Sequence, residues 1–248
     1  MMWITPLIWP LGAEALAMLT VVIPCRNEAT HLPLLLAQLA VQPQLVTQVV
    51  VVDGGSTDAS VLAARLMGVQ VLQTSPGRGL QMARGARDLE TPWVLFLHAD
   101  VALPPGWGDR VTAALRTQSG CDQAWYFELA VNGRGWALRL LELIVGLRSH
   151  WQQLPFGDQG LLLSRALYQR VGGIRPLPLM EDLDLVERLR PLARLRSLRL
   201  PLLVDGTRWR QQGVLKTSLT NLSLRRAWRR GVPAAVLVQR YYGQQLQA

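Results

Sequence analysis

Thr47-Gln48-Val49-Val50-Val51-Val52-Asp53-Gly54-Gly55-Ser56-Thr57-Asp58 is the stretch that decides the fold. Four valines in a row mark a strand buried on both faces, because a strand with one wet face alternates apolar and polar residues. The glycines after Asp53 let the chain turn sharply. Ser56 or Thr57 then reads as the N-cap of a helix that reaches about Met67. Working outward, Leu19 to Pro24 is a β-rich run and Glu28 to Ala40 has helical apolar spacing. Val69 to Gln73 reads as a strand, Gly77 to Ala86 as a helix and Trp93 to Leu97 as a fourth strand. Strands alternating with helices predict an α/β domain, a mostly parallel sheet with right-handed crossovers and helices on both faces.

On such a sheet, ligands sit beyond the carboxyl ends of the strands. Each polar cluster of this half follows a strand: Arg26-Asn27-Glu28, Asp53-Gly54, Gly77-Arg78-Gly79 and His98-Ala99-Asp100. They are expected to converge on one crevice. The first loop, Pro24-Cys25-Arg26-Asn27-Glu28, holds no GxGxxG, and the chain has no GxxxxGK[ST], which excludes a P-loop. The second half is less regular. Trp125 to Val131 reads as a strand, Trp136 to Ser149 as an amphipathic helix and Leu161 to Leu163 as a short strand. A helix through Tyr168, another from Leu183 to Leu189, a strand from Leu198 to Val204 and a helical end broken at Gly231-Val232-Pro233 complete it.

Asp53 closes the second strand, where a carboxylate can accept from a base N–H or a ribose hydroxyl; the alternative is a helix cap, preferred for Asp58. Asp100 closes the fourth strand. One or two carboxylates with substrate phosphates are the usual way to hold Mg²⁺ or Mn²⁺. His98, two residues earlier, is a second metal ligand, a phosphate donor or a core histidine. Glu181 and Asp182 are adjacent, so one can face the crevice as a general base while the other caps a helix or pairs with a base; with Asp184 they also suit a helix N-terminus. Arg208-Trp209-Arg210-Gln211-Gln212 offers a phosphate clamp and a flat face for a sugar.

Composition sets the limits. The 248 residues are 50% hydrophobic, enough for one large α/β domain. The net charge is +9, and arginine carries it: Lys216 is the one lysine among the 26 basic residues. Between Arg188 and Arg230, twelve basic residues stand against a single acid, Asp205. Such a segment suits a phosphorylated ligand, an anionic membrane, a nucleic acid or a solvated surface. Two cysteines, Cys25 and Cys121, without CxxC spacing, point away from disulfides and zinc and toward a reducing, cytoplasmic setting. Residues 1–17 are apolar but hold Glu14 and two prolines and lack a basic start, so they read as a loosely held extension before Met18. No segment reads as a membrane span; Trp136 to Leu147 is interrupted by Arg139 and Glu142. The expected division is 1–17, a catalytic domain 18–213 and basic amphipathic helices 214–248. Those helices pair Trp228, Val236, Leu237, Tyr241 and Tyr242 with arginines, as an interfacial helix or one packed on the domain would.

Val22-Ile23-Pro24-Cys25-Arg26-Asn27-Glu28, Val51-Val52-Asp53-Gly54-Gly55-Ser56-Thr57-Asp58, His98-Ala99-Asp100 and Glu181-Asp182, in this order, resemble the family-2 glycosyltransferases. A subgroup resemblance adds Gly77-Arg78-Gly79-Leu80-Gln81-Met82, Gly157-Asp158-Gln159-Gly160 and Arg208-Trp209-Arg210-Gln211-Gln212-Gly213, which look like the small bacterial enzymes associated with arsenosugar biosynthesis. The resemblance covers roughly Leu19 to Gly213. It implies a GT-A, Rossmann-like fold, a nucleotide-sugar donor, Mn²⁺ or Mg²⁺, and inversion at the sugar. It further implies that Pro24, Arg26, Glu28, Asp53, Gly54, Arg78, Gln81 and His98 face the nucleotide sugar. Asp158, Gln159, Arg208 and Trp209 would lie on the acceptor or phosphate side. Asp100, with His98, would take the metal, and Asp182, beside Glu181, would be the base. One departure stands out: His98 occupies the place of the first Asp of the family's DxD motif. The expected partners are a nucleotide-sugar donor and a small-molecule or lipid-linked acceptor, with no nucleic acid; peripheral contact with the inner membrane surface is a further option. A nucleotidyltransferase would need a glycine-rich loop after the first strand, which this chain lacks. The carboxylates at 53, 100 and 182 argue against a purely binding role.

Overall fold

The computed structural model describes residues 19–116 and 123–243. Cys121, the extension 1–17 and the side chain of Tyr242 lie outside the described residues. In chain order the elements are β1 (Leu19–Cys25), α1 (Leu32–Ala40), β2 (Val46–Asp53), α2 (Ser60–Leu66), β3 (Gln70–Gln73), α3 (Arg78–Gly85), β4 (Trp93–Phe96) and β5 (Val101–Ala102). There follow α4 (Trp107–Arg116), β6 (Gln123–Val131), α5 (Trp136–Trp151), a 3-10 turn (Gly157–Gln159), β7 (Leu161–Ser164), α6 (Arg165–Arg170), α7 (Glu181–Leu189), β8 (Arg194–Val204), α8 (Thr207–Gln212), α9 (Val214–Arg229) and α10 (Ala234–Gly243).

The strands form one eight-stranded sheet in the order β3-β2-β1-β4-β7-β6-β8-β5. The first four run parallel, as expected. Beyond β4 the sheet is mixed: β7 is antiparallel to β4 and to β6, β8 is parallel to β6, and β5 is antiparallel to β8. The four valines explain the layering. Val49 and Val51 join the core with α1, α2, α4 and α5, while Val50 and Val52 join the opposite core with α3, α6 and α7. β1 divides in the same way, Val21 and Ile23 against Val22. This is the two-residue period of a strand expressed on both faces. On α1, Leu32, Leu35, Leu36 and Leu39 are fully buried, a stripe at helical spacing. Each such burial contributes about 1.5–3 kcal/mol.

The C-terminal helices share this core. Leu224 of α9 and Leu237 of α10 are buried in the same cluster as α7, with Trp228 and Tyr241 packed against it. The interfacial pattern read in those helices is therefore largely spent on the domain itself.

Ser56 and Thr57 do not cap α2, which begins at Ser60 behind Ala59. They are recruited by the loop after β1. The Asn27 N–H donates to Ser56 Oγ at 2.9 Å, and Thr57 N–H donates to Asn27 Oδ1 at 2.8 Å. Asp58 accepts from the Ala29 and Ser60 N–H groups. Asn27 sits at φ 57°, a left-handed conformation that asparagine tolerates. The two loops at the carboxyl ends of β1 and β2 thus form one fastened unit.

α3 lies close on the segment that leads into α7. A Cβ on Gly79 would fall 2.4 Å from Leu177 O and 2.8 Å from Arg175 O, both backbone atoms that cannot yield. Gly79→Ala is expected to destabilise the fold by about 2–3 kcal/mol, read as a lower urea midpoint with unchanged slope. An unshifted midpoint would show that the contact is looser than described.

Candidate active site

At the carboxyl ends of β1 and β4, two adjoining cavities share Arg78, His98, Asp100 and Tyr241 as walls. One, of about 480 Å³, is lined by Pro24, Arg26, Glu28, Gly77 and Gln81. The other, of about 230 Å³, is lined by Asp158, Asp182, Arg208, Trp209 and three residues of α9, Asn221, Leu224 and Arg225. Most of the residues singled out in the sequence meet here, although they are spread from Pro24 to Trp209.

Four of them, Asp53, Gly54, Gln159 and Glu181, do not line the crevice as expected. Asp53 lines neither cavity. Its buried carboxylate accepts from the N–H groups of Gly55 and Ser56 at 3.1–3.2 Å and so shapes the turn. Gly54 also lies outside both linings; a Cβ there would meet the Gln81 amide at 3.0 Å, so it permits a close approach. Gln159 is fully buried. Its amide accepts from Ser149 Oγ at 2.8 Å and donates to Phe127 O at 3.1 Å, which fixes the 3-10 turn to β6 and α5. Gln81 has both roles. It lines the larger cavity and donates to Cys25 O and Val52 O, tying the ends of β1 and β2.

The two adjacent carboxylates separate as helical geometry demands. Met180, in the left-handed region at φ 67°, starts α7 and turns the chain into the site. A non-glycine residue held there costs about 1–3 kcal/mol and is typical of functional sites. Glu181 then turns inward, only 1% exposed, with Arg78 Nε 3.0 Å from Oε1. Asp182 faces the cavity, where its Oδ2 accepts from the Gly157 N–H at 2.8 Å. A Cβ on Gly157 would lie 2.8 Å from His98 Nε2 and 3.3 Å from Asp182 Oδ2, so this glycine leaves the floor open to both. Asp184 is not part of the site; it is buried and paired with Arg175 and Arg188.

Burial, and then the positive charge of Arg78, lower the proton affinity of His98 and keep its imidazole neutral. Its Nε2 has no hydrogen-bond partner among the described residues. Burial raises the Asp158 carboxyl, opposed first by Arg148, and its Oδ1 is likewise without a partner. Among the described residues no three His, Cys, Asp or Glu side chains converge on one point. The donors on hand are the Asp100 carboxylate and the neutral imidazole of His98. That set suits an oxygen-loving divalent ion that completes its shell with phosphates and water, and does not suit a four-ligand structural zinc site.

Burial also raises the Glu181 carboxyl, opposed by Arg78. The folded state then holds a proton to higher pH than the unfolded chain, so this group costs stability as pH rises from the ordinary carboxylate range through the folded value. Glu181→Gln is expected to unfold at a higher temperature than wild type at pH 8, with the gain fading toward about pH 4, where wild-type Glu181 is neutral. A gain that grows as the pH falls would contradict this balance of burial over pairing.

The sequence reading missed the far wall. Arg208 donates to the Tyr241 hydroxyl and stacks its guanidinium 4.5 Å from that ring. Arg148 and Arg225 both lie over Phe156, at 3.7 and 5.0 Å from the ring centre. α9 and α10 thereby close the crevice, in keeping with helices packed on the domain. The signal available in sequence was the arginine density after Arg188, without any indication of which arginines turn inward.

The family model for "Glycosyl transferase family 2" matches residues 20–171. Curated relatives include uncharacterised glycosyltransferases of Mycobacterium tuberculosis and Mycobacterium bovis, 30% identical over 132 residues, or 48% of this chain. The chain spans 59% of the length of those relatives. Among solved structures, glucosyl-3-phosphoglycerate synthase from Mycobacterium tuberculosis superposes with a TM-score of 0.57 at 21% identity, covering 75% of this chain and 70% of that one. S. aureus TarS gives a TM-score of 0.59 at 19% identity over 76% of this chain and 36% of its own. These superpositions agree with a shared α/β fold. With the family model covering more than half of the residues, the chain belongs to glycosyl transferase family 2.

Proposed function

We propose that this glycosyltransferase moves a sugar from a nucleoside-diphosphate sugar to an acceptor hydroxyl or phosphate with inversion, in the manner of a hexosyltransferase. The observation that carries the reading is the shared wall of the two cavities, where Arg78, His98 and Asp100 stand between a nucleotide-sized recess and the Asp182 carboxylate. The nucleoside occupies the larger recess against Pro24, Arg26, Glu28 and Gln81, with Asp53 and Gly54 holding that wall in shape. The diphosphate lies toward Arg78 and Asp100. The acceptor enters the smaller recess between Asp158, Asp182, Arg208 and Trp209.

Asp182 takes the proton of the acceptor O–H. The acceptor oxygen bonds to the anomeric carbon from the face opposite the diphosphate, and the C–O bond to the diphosphate breaks with its electron pair on the leaving oxygen. Arg78 supports the charge that develops there; its pairing with buried Glu181 fixes its direction in advance. Asp100, with the neutral imidazole of His98, would hold Mn²⁺ or Mg²⁺. When bound, such an ion supplies neutralisation of the leaving diphosphate. Structures of the mycobacterial synthase contain Mn²⁺ with UDP-glucose and phosphoglyceric acid, which supports a divalent ion, a nucleotide-sugar donor and a small anionic acceptor here. Arsenosugar synthesis or that of another small glycoside fits the subgroup motifs and the modest size of the acceptor recess. The test is a donor screen with Mn²⁺ in which the anomeric configuration of the product is read by NMR. Inversion is expected; retention would sink the single-displacement reading.

A further inference from the structure

We propose that the outward face of α5 is a docking surface for an anionic lipid bilayer. Trp136, Leu140, Leu143, Ile144, Leu147 and Trp151 are 40–79% exposed. At about 100° per residue they fall within an arc roughly 100° wide, centred opposite buried Val145. A helix lying on a soluble domain normally turns its polar side outward, and α5 does the reverse. The two charges that interrupt its sequence, Arg139 and Glu142, pair with each other at 2.8 Å and leave the arc uncharged. Tryptophans close both ends of the arc, about 22 Å apart along the helix, and tryptophan favours the boundary between hydrocarbon and water. On α9, which packs beside α5, Leu215 and Leu219 are exposed as well.

Charge decides the occupant. The C-terminal end of α5 contributes His150 to an open groove of about 780 Å³ whose other walls include Arg110, Arg194, Arg196 and Arg199, with Glu128 as its one acid among the described residues. An apolar helical face beside clustered arginines is the combination that anionic headgroups and acyl chains recognise together. A second copy of the chain is a poor fit. The arc covers roughly 250 Å² against the ~800 Å² per partner of a stable dimer, and two chains each carrying +9 repel. This surface lies outside the crevice, so its test reads binding and is independent of sugar transfer.

The experiment is co-sedimentation of the full chain with vesicles of phosphatidylcholine, with and without about one third phosphatidylglycerol. Wild type is expected to bind the anionic vesicles. Leu143→Glu with Leu147→Glu should lower the bound fraction about tenfold, while Leu66→Glu, at a still more exposed leucine on α2, should leave it unchanged. An unaltered thermal midpoint in each variant shows that the fold persists. Arg194→Ala with Arg196→Ala should remove the preference for anionic lipid; a retained preference overturns the assignment of that groove to headgroups. Wild type that ignores both kinds of vesicle overturns the proposal, as does binding that survives the paired glutamates. A dimer in sedimentation velocity that those glutamates split, without vesicle binding, overturns it in favour of a second copy.

Discussion

Asp182→Asn is expected to lower turnover about 10²–10⁴-fold while leaving nucleoside diphosphate affinity within about twofold of wild type. The substitution keeps the shape of the side chain and an oxygen to accept from the Gly157 N–H, but removes the capacity to take a proton. Asp182 lines the smaller cavity and is absent from the larger one, so the nucleotide recess should not register the change. Full turnover in the variant would show that the base is elsewhere, with Asp158 in the same cavity as the next candidate. A loss of nucleotide affinity in step with turnover would instead make Asp182 a binding group.

Asp100→Ala should abolish the part of the nucleotide's stabilising effect that depends on Mn²⁺. A ligand at 100 times its dissociation constant stabilises by about 2.7 kcal/mol, and an affinity lost tenfold removes about 1.4 kcal/mol of that. In thermal unfolding with UDP, wild type should show a larger rise in midpoint with Mn²⁺ than without, and the variant the same smaller rise in both. His98→Ala should weaken the Mn²⁺-dependent part without removing it, since the imidazole is the lesser donor. If Asp100→Ala keeps the full Mn²⁺ response, the ion is not held at the end of β4.

The first half of the fold was legible because its signals are local. Four valines, an Asp-Gly-Gly turn and regular strand–helix alternation each lie within a few residues, and β1 to β4 run parallel as expected. The mixed half was not. β8 spans Arg194–Val204, longer than the apolar run from Leu198, because its charged first residues pair with β6. α4 escaped notice because its short apolar stripe, Trp107, Val111 and Leu115, lies among charged and small residues. At the site, Asp100, Asp182, Arg78 and His98 come together on one cavity wall or beside it, while Asp53 turns to its own loop: a carboxylate on a glycine turn serves the turn's own N–H groups as readily as a ligand. The contacts of Phe156 with Arg148 and Arg225, and of Tyr241 with Arg208, join residues up to 69 positions apart, and no local pattern announces such a contact.

The most direct measurement is the anomalous scattering of manganese in crystals grown with Mn²⁺ and UDP. The predicted result is one manganese beside the Asp100 carboxylate, with the diphosphate toward Arg78 and the uridine against Pro24 and Gln81. UDP bound on another face of the molecule, or manganese away from the end of β4, would contradict the account.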